Sequence, residues 1–198
     1  KNALKHVVVG INLTMFNDYG YADRVRPTQK LLENPLRYIF NRPVAEAAFY
    51  VLRGHFTGVH VNKTPPMTPE ERWEHDMKVK TKHWYGRYKY PDRLEKQIRE
   101  VDAFAKEKGI RLTFIVVPHH IDFRQALYTY ELEEEEKRFL TFLSSLHAQV
   151  ISYDFENEIT QKRENYDDPI HYTDEVGNLI IQEVWKGPVQ VGRSLKKE

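Results

Sequence analysis

The 198-residue chain contains no cysteine. That excludes disulfides, thiolate metal ligands and a cysteine nucleophile, and it suits a reducing and an oxidising compartment equally. Charge of either sign is not in excess. Thirty Lys and Arg face 29 Asp and Glu, for a net charge of +1, so no global field argues for nucleic acid or an anionic membrane as partner. No apolar run approaches the roughly 20 residues of a membrane-spanning helix, and no signal-peptide pattern is visible. There is no internal repeat, low-complexity tract or credible domain boundary. Serine is scarce, confined to Ser144, Ser145, Ser152 and Ser194. What remains is enough chain for about one domain with a substantial core. It starts at Lys1 and enters a strand-like run almost at once, which leads us to expect the C-terminal part of a longer protein.

Taken in order, strand and helix signals alternate. His6–Asn12 is a continuous β-branched run of the kind buried on both faces of a parallel sheet. It ends in Gly10-Ile11-Asn12-Leu13, and Asn17, Asp18 and Gly20 mark a loop. Open α/β sheets place ligands outside the carboxyl ends of their strands, which makes Asn12 a candidate site residue; otherwise its amide caps strand-end backbone. Pro43 opens and Gly54 closes a helix that is apolar nearly all round, so it is expected to be well buried.

From His55 to Tyr90 clean periodicity fails. Pro65-Pro66 makes a turn, Thr68-Pro69-Glu70-Glu71 reads as a capped helix start, and Lys80–Tyr90 interleaves basic and aromatic residues. A stretch of this kind, about 55–90, reads as an insertion or lid. Trp84 and Tyr85 are candidate substrate contacts, since such residues stack on sugar rings or bases; alternatively the run covers a neighbouring element. Beyond Pro91, Leu94, Ile98, Val101, Phe104 and Ala105 form one helical face stopped at Gly109. Arg111–Val117 is a second buried strand, ended by Pro118 and followed by His119 and His120. Tyr130–Leu146 reads as one long helix whose acidic start suits the macrodipole, and Gln149–Phe155 as a third strand. Helices between buried strands predict an α/β fold, a three-layer α/β/α domain with a mostly parallel sheet.

The last signal is Asp167-Asp168-Pro169-Ile170-His171-Tyr172-Thr173-Asp174-Glu175. Thr173 suits an N-cap, with Asp174 and Glu175 in the positive first turn and Val176, Leu179, Ile180 and Val184 as an apolar stripe. Asp168 can fold back in an Asx turn and hold the His171 ring. A carboxylate that orients a histidine suits general-base chemistry, because it selects the tautomer and stabilises the imidazolium; the plainer alternative is a turn with a packed histidine. Right-handed crossovers would bring Gly10 with Asn12, His119 with His120, and the Asp168–His171 loop to one sheet edge. A metal site is disfavoured, since adjacent His119 and His120 would point to opposite sides of an extended segment.

Strand–Gly-x-Asn near one end and Asp-x-x-His before the last helix together resemble the SGNH (GDSL-like) hydrolase superfamily. The stretches Val7–Asn17, Asn157-Glu158-Ile159-Thr160 and His171–Ile180 are similar to a bacterial cell-envelope group within it, whose members are tethered to the membrane by an N-terminal helix. The resemblance covers most of the chain except Phe56–Tyr90. It implies a flavodoxin-like, SGNH-like domain with His171 as general base, Asp168 as its orienter, and Asn12 with Gly10 as an oxyanion hole. His119, His120, Trp84 and Tyr85 would then contact substrate. It implies no cofactor. The implied activity is that of an esterase or O-acyltransferase acting on acylated cell-envelope carbohydrate, or on a small ester, in an extracytoplasmic, membrane-tethered protein.

Two features depart from the family pattern. Leu13 stands where aspartate is usual. The nucleophilic serine belongs in a turn well before Gly-x-Asn, and none of the four serines sits in a strand-to-loop turn suited to a nucleophile. The serine is therefore expected upstream of Lys1. The alternative is a non-catalytic relative that binds a glycan or a protein partner.

Overall fold

The computed structural model describes residues 4–19, 25–34, 36, 40–58 and 67–196. Two compact units are present: residues 1–19 with 71–198, and residues 20–70. The turn expected at Pro65-Pro66 and the loop position Gly20 lie outside the described residues.

The larger unit is mixed α/β. Strands β1 (His6–Ile11), β2 (Arg111–Val116) and β3 (Gln149–Ser152) run parallel in that order, and β6 (Arg193–Ser194) closes the far side antiparallel to β3. A second, two-stranded ribbon pairs β4 (Tyr166–Asp168) with β5 (His171–Tyr172). The strands β2 and β3 read as unbroken apolar runs because side chains alternate between two faces and both faces are covered. By contrast β1, at the sheet's edge and expected to be buried on both faces, is only half-buried from His6 to Val9 and exposed at Gly10. Leu112, Phe114, Val116 and Val150 join one buried cluster, with Phe139, Phe142 and Leu143. Ile115, Ile151 and Tyr153 join another, with Val176, Ile180 and Val184. The first cluster takes in α4 (Asp92–Glu107), α5 (Ile121–Thr129) and α6 (Glu133–Ser144); the second takes in α7 (Asp174–Lys186).

One buried carboxylate fixes how β3 begins. Both oxygens of Asp102, on α4, accept backbone N–H groups at 2.7 Å, from His147 and Ala148. Asp102→Ala leaves those donors without their acceptor at a buried strand entry. We expect a loss of about 2–4 kcal/mol, read as a lowered urea midpoint with unchanged slope.

The helix expected over Tyr130–Leu146 is present as α6, shorter at both ends, and a further helix, α5, precedes it. Between them Glu131 takes a positive φ of 56°, and the Leu132 N–H returns to the Leu127 carbonyl. In a stretch to which the sequence assigns no element, α5 buries Phe123 and Leu127 as an i, i+4 pair.

The unit spanning residues 20–70 contains α1 (Val25–Glu33) and α2 (Arg42–Thr57), and α3 (Pro69–Trp84) starts at its end. Gly54 lies inside α2; Gly58, at φ 66°, ends it. The expectation that α2 is well buried is overturned. Phe49, Val51, Leu52 and Phe56 are all exposed, Phe56 at 79 %, and Gly54 is the buried residue of the helix. Apolar composition predicts burial only where enough neighbouring structure exists to cover a helix on every side, and a unit of this size provides little.

Candidate active site

Asp168 and His171 face each other across the β4–β5 ribbon. The Oδ1 of Asp168 accepts the N–H groups of Ile170 (2.9 Å) and His171 (3.2 Å), which is the Asx turn the spacing predicts. Its Oδ2 lies 2.6 Å from His171 Nδ1. A carboxylate only accepts, so the His171 ring donates from Nδ1, and in its neutral form Nε2 is bare. The ring is largely exposed, at 67 %, whereas the Asp168 side chain is at 19 %. Thr173 sits at the N-cap of α7 in extended conformation, and its carbonyl accepts from Gly177, so the helix starts directly behind the ribbon.

Sequence reasoning missed the third member of this group. Lys80, on α3, approaches the same Asp168 oxygen at 2.7 Å and also pairs with Asp76 one turn away. Burial works to raise the Asp168 pKa, but the hydrogen bonds from His171, Lys80 and the Ile170 N–H outweigh it and hold the carboxyl below its ordinary value. A depressed folded-state pKa contributes stability that is present above the unfolded-state value and is lost as pH falls through the folded one. Lys80→Met removes one of the groups that depress it. The Asp168 carboxyl should then protonate at higher pH, and acid unfolding should begin earlier. Carboxyl chemical shifts followed through a pH titration check this; an unmoved Asp168 curve would contradict it.

At the opposite wall, β1 runs out at Asn12 into a tight turn in which the Phe16 N–H bonds the Asn12 carbonyl at 2.9 Å. Phe16 is fully buried and anchors the turn. The Asn12 side chain is buried; its Oδ1 accepts from Thr14 Oγ1 (2.7 Å) and the Met15 N–H (2.8 Å), and its Nδ2 lies 3.1 Å from His119 Nε2. His119 is in turn held by Asp154, whose two oxygens meet its backbone N–H (3.0 Å) and its Nδ1 (3.1 Å). Asp154, just beyond β3, carried no sequence signal: it is a single acidic residue 35 positions from its partner. Asn17 was read only as loop, yet it donates to the Trp84 carbonyl and accepts from the Tyr19 and Lys89 N–H groups, which fixes the end of α3 beside the turn.

Between the walls lies a crevice of about 340 Å³, lined by Asn12, Thr14, Met15, Trp84, Val117, His119, Ile170, His171 and Tyr172. A main-chain bond from the His120 N–H to the Pro169 carbonyl, 3.1 Å, ties the end of β2 to the Asp168–His171 turn. Asn12, His119, Trp84 and His171 thus share one cavity, although they come from distant parts of the chain. The other candidates lie elsewhere. Gly10 is in β1, one face against Val117, and does not line the cavity. His120 packs its ring edge-on to Trp73 and Tyr166, and burial lowers its pKa more than Asp122 raises it. Tyr85 is a core residue against Phe123 and Tyr130. Tyr88 is half-buried against the same cluster, and Tyr90 lies beneath the Arg138 guanidinium at 3.5 Å, so much of the basic-aromatic run serves as packing.

None of the four serines lines the cavity. Ser144 and Ser145 bond back to their own helix, Ser152 is fully buried at the end of β3, and Ser194 lies in β6. The hydroxyls in the cavity belong to Thr14 and Tyr172. Among the described residues no three His, Asp or Glu side chains are grouped as a metal site, and no helix is long and apolar enough to cross a membrane. Comparison with protein-family models, with curated proteins and with solved structures returned no match.

Proposed function

We propose that this crevice is the acyl-transfer half-site of an SGNH-like esterase or O-acyltransferase acting on acylated cell-envelope carbohydrate, on a three-layer α/β/α domain. The observation that carries the proposal is the meeting in one cavity of an Asp168-oriented imidazole and the Asn12 carboxamide. The layer arrangement is supported by the two apolar clusters on opposite faces of the sheet. In this reading the serine comes from outside the 198 residues, and the edge of β1, which has no strand neighbour among the described residues, is a place where the strand carrying it can pair.

The proposed chemistry combines that serine with the donors and acceptors of the crevice. The serine Oγ attacks the ester carbonyl carbon as its proton passes to the bare Nε2 of His171. The negative charge that forms on the carbonyl oxygen is met by an N–H of Asn12, and Asp168 stabilises the imidazolium. His171 then protonates the departing alkoxide. Water or an acceptor hydroxyl, deprotonated by the same imidazole, attacks the acyl-serine. The bond to the serine Oγ breaks as His171 returns the proton to that oxygen, releasing the acid or the new ester. Thr14 is not a substitute nucleophile, because its hydroxyl donates to Asn12 Oδ1 instead of to His171. Trp84, Met15 and Tyr172 give the cavity an apolar wall suited to an acyl chain or a sugar face.

A second reading is favoured by one observation: no serine lines the cavity. In it the domain is a binding module, and Trp84 contacts a glycan or a protein partner. Fluorophosphonate treatment of the complete natural protein separates the two. The enzyme reading predicts one labelled serine, located by peptide mapping outside these 198 residues; a protein that stays unlabelled is the binding module.

A further inference from the structure

The side chains of Asp154, His119 and Asn12 form a relay running from the end of β3 to the end of β1, and only its last member has a role in the reaction proposed above. Three constraints act on it. Asp154 meets both N–H groups that His119 can offer on that side, with Oδ1 on the backbone N–H and Oδ2 on Nδ1. An ionised carboxylate has no hydrogen to give, so the neutral ring must carry its proton on Nδ1, and Nε2 becomes an acceptor. The Asn12 atom at 3.1 Å from that acceptor is the amide nitrogen. Independently, the amide oxygen is fixed by two donors, Thr14 Oγ1 and the Met15 N–H. Amide orientation is normally ambiguous between oxygen and nitrogen; here both ends require the same one. One N–H of Asn12 is then taken by His119, and the second has no partner among the described residues while the side chain lines the cavity.

We infer that His119 and Asp154 are positioning residues that hold the Asn12 carboxamide with its second N–H presented to the crevice. This rests on the acyl-transfer reading for its function, though not for its geometry. His119 is 2 % exposed and its ring packs against Phe123 at 5.2 Å, so the relay is held rigidly. Preorganisation of this sort is what makes an oxyanion donor effective, since it need not reorient as charge develops. A purely structural strap across three strand ends would use the same contacts and the same imidazole tautomer, but its loss would not act on turnover only through Asn12.

The test has two parts. Long-range proton–nitrogen NMR spectra of the complete ¹⁵N-labelled protein should show His119 protonated on Nδ1 and bare on Nε2. The opposite tautomer overturns the inference whatever the enzyme does. With p-nitrophenyl acetate as probe, His119→Phe should lower kcat about as far as Asn12→Ala, about 10²–10³-fold, with KM little changed. The double variant should be no slower than Asn12→Ala alone, because a residue that acts through another adds nothing once the other is gone. His119→Gln, whose side-chain oxygen can accept from Asn12, should be less impaired than His119→Phe. Asp154→Asn should resemble His119→Phe and shift the His119 proton towards Nε2. Additive losses, or Gln as poor as Phe, overturn it. A natural protein that does not turn over the ester at all refutes the acyl-transfer reading and leaves the tautomer and the Asp154→Asn shift to decide the relay.

Discussion

His171→Ala in the complete natural protein is expected to reduce kcat for p-nitrophenyl acetate by about 10⁴-fold or more, with little change in KM. The expectation follows from what the side chain does at each stage. Before reaction its Nε2 is bare and its partner nitrogen is fixed by a carboxylate at 2.6 Å, whereas the cavity's other carboxylate-held imidazole, His119, has its Nε2 taken by Asn12. During reaction the same ring carries the proton between nucleophile and leaving group, so its removal affects both halves of the cycle. The loss should not be a folding effect. His171 is largely exposed, and surface truncation of this kind usually changes stability by less than about 0.5 kcal/mol. Unaltered turnover together with a native melting curve would remove His171 from the mechanism.

Asn12→Ala is expected to lower kcat by about 10²–10³-fold, the usual consequence of losing one oxyanion donor. Here a stability loss must be separated from the catalytic one, because the Asn12 carboxamide also ties the turn after β1 through Thr14 and Met15. Asn12→Asp makes that separation. It keeps an oxygen for both donors, but it replaces the N–H with a second acceptor facing His119 and introduces negative charge where negative charge must develop. It should therefore fold at least as well as Asn12→Ala and turn over ester more slowly. Equal rates in the two variants would mean that Asn12 holds the turn and nothing more.

How far the sequence could lead differs from one element to the next. The three parallel strands were readable from their unbroken apolar runs, as in Val7-Val8-Val9 and Phe114-Ile115-Val116, although only the second of these is fully buried. The Asp168–His171 turn was readable because both partners lie three residues apart. The helix α5 was hidden by its short apolar pair, and the connection from it to α6 passes through a positive φ at Glu131 that no residue type announces. Exposure of α2 was misjudged because composition cannot say how much structure surrounds a helix.

The site followed the same division. Asn12 and His171 are each marked by local pattern, yet their meeting depends on crossovers that close only in three dimensions. Lys80 and Asp154 had no local mark at all. Each is one charged residue among many, and it gains meaning from a partner 88 or 35 positions away (168 − 80 and 154 − 119). Of the aromatic pair Trp84 and Tyr85, adjacent in sequence, one lines the cavity and its neighbour fills the core. At the end of a helix, consecutive side chains point about 100° apart, and only packing decides which of them reaches the cavity.

The central claim is that an imidazole and a carboxamide serve the same acyl group. A crystal structure of the complete natural protein after reaction with a fluorophosphonate tests it most directly. The account predicts a tetrahedral phosphonyl-serine in the crevice, one phosphonyl oxygen within hydrogen-bond distance of Asn12 Nδ2, and His171 Nε2 beside the serine Oγ. A phosphonate bound away from the crevice, or within it but turned from both groups, would contradict the account.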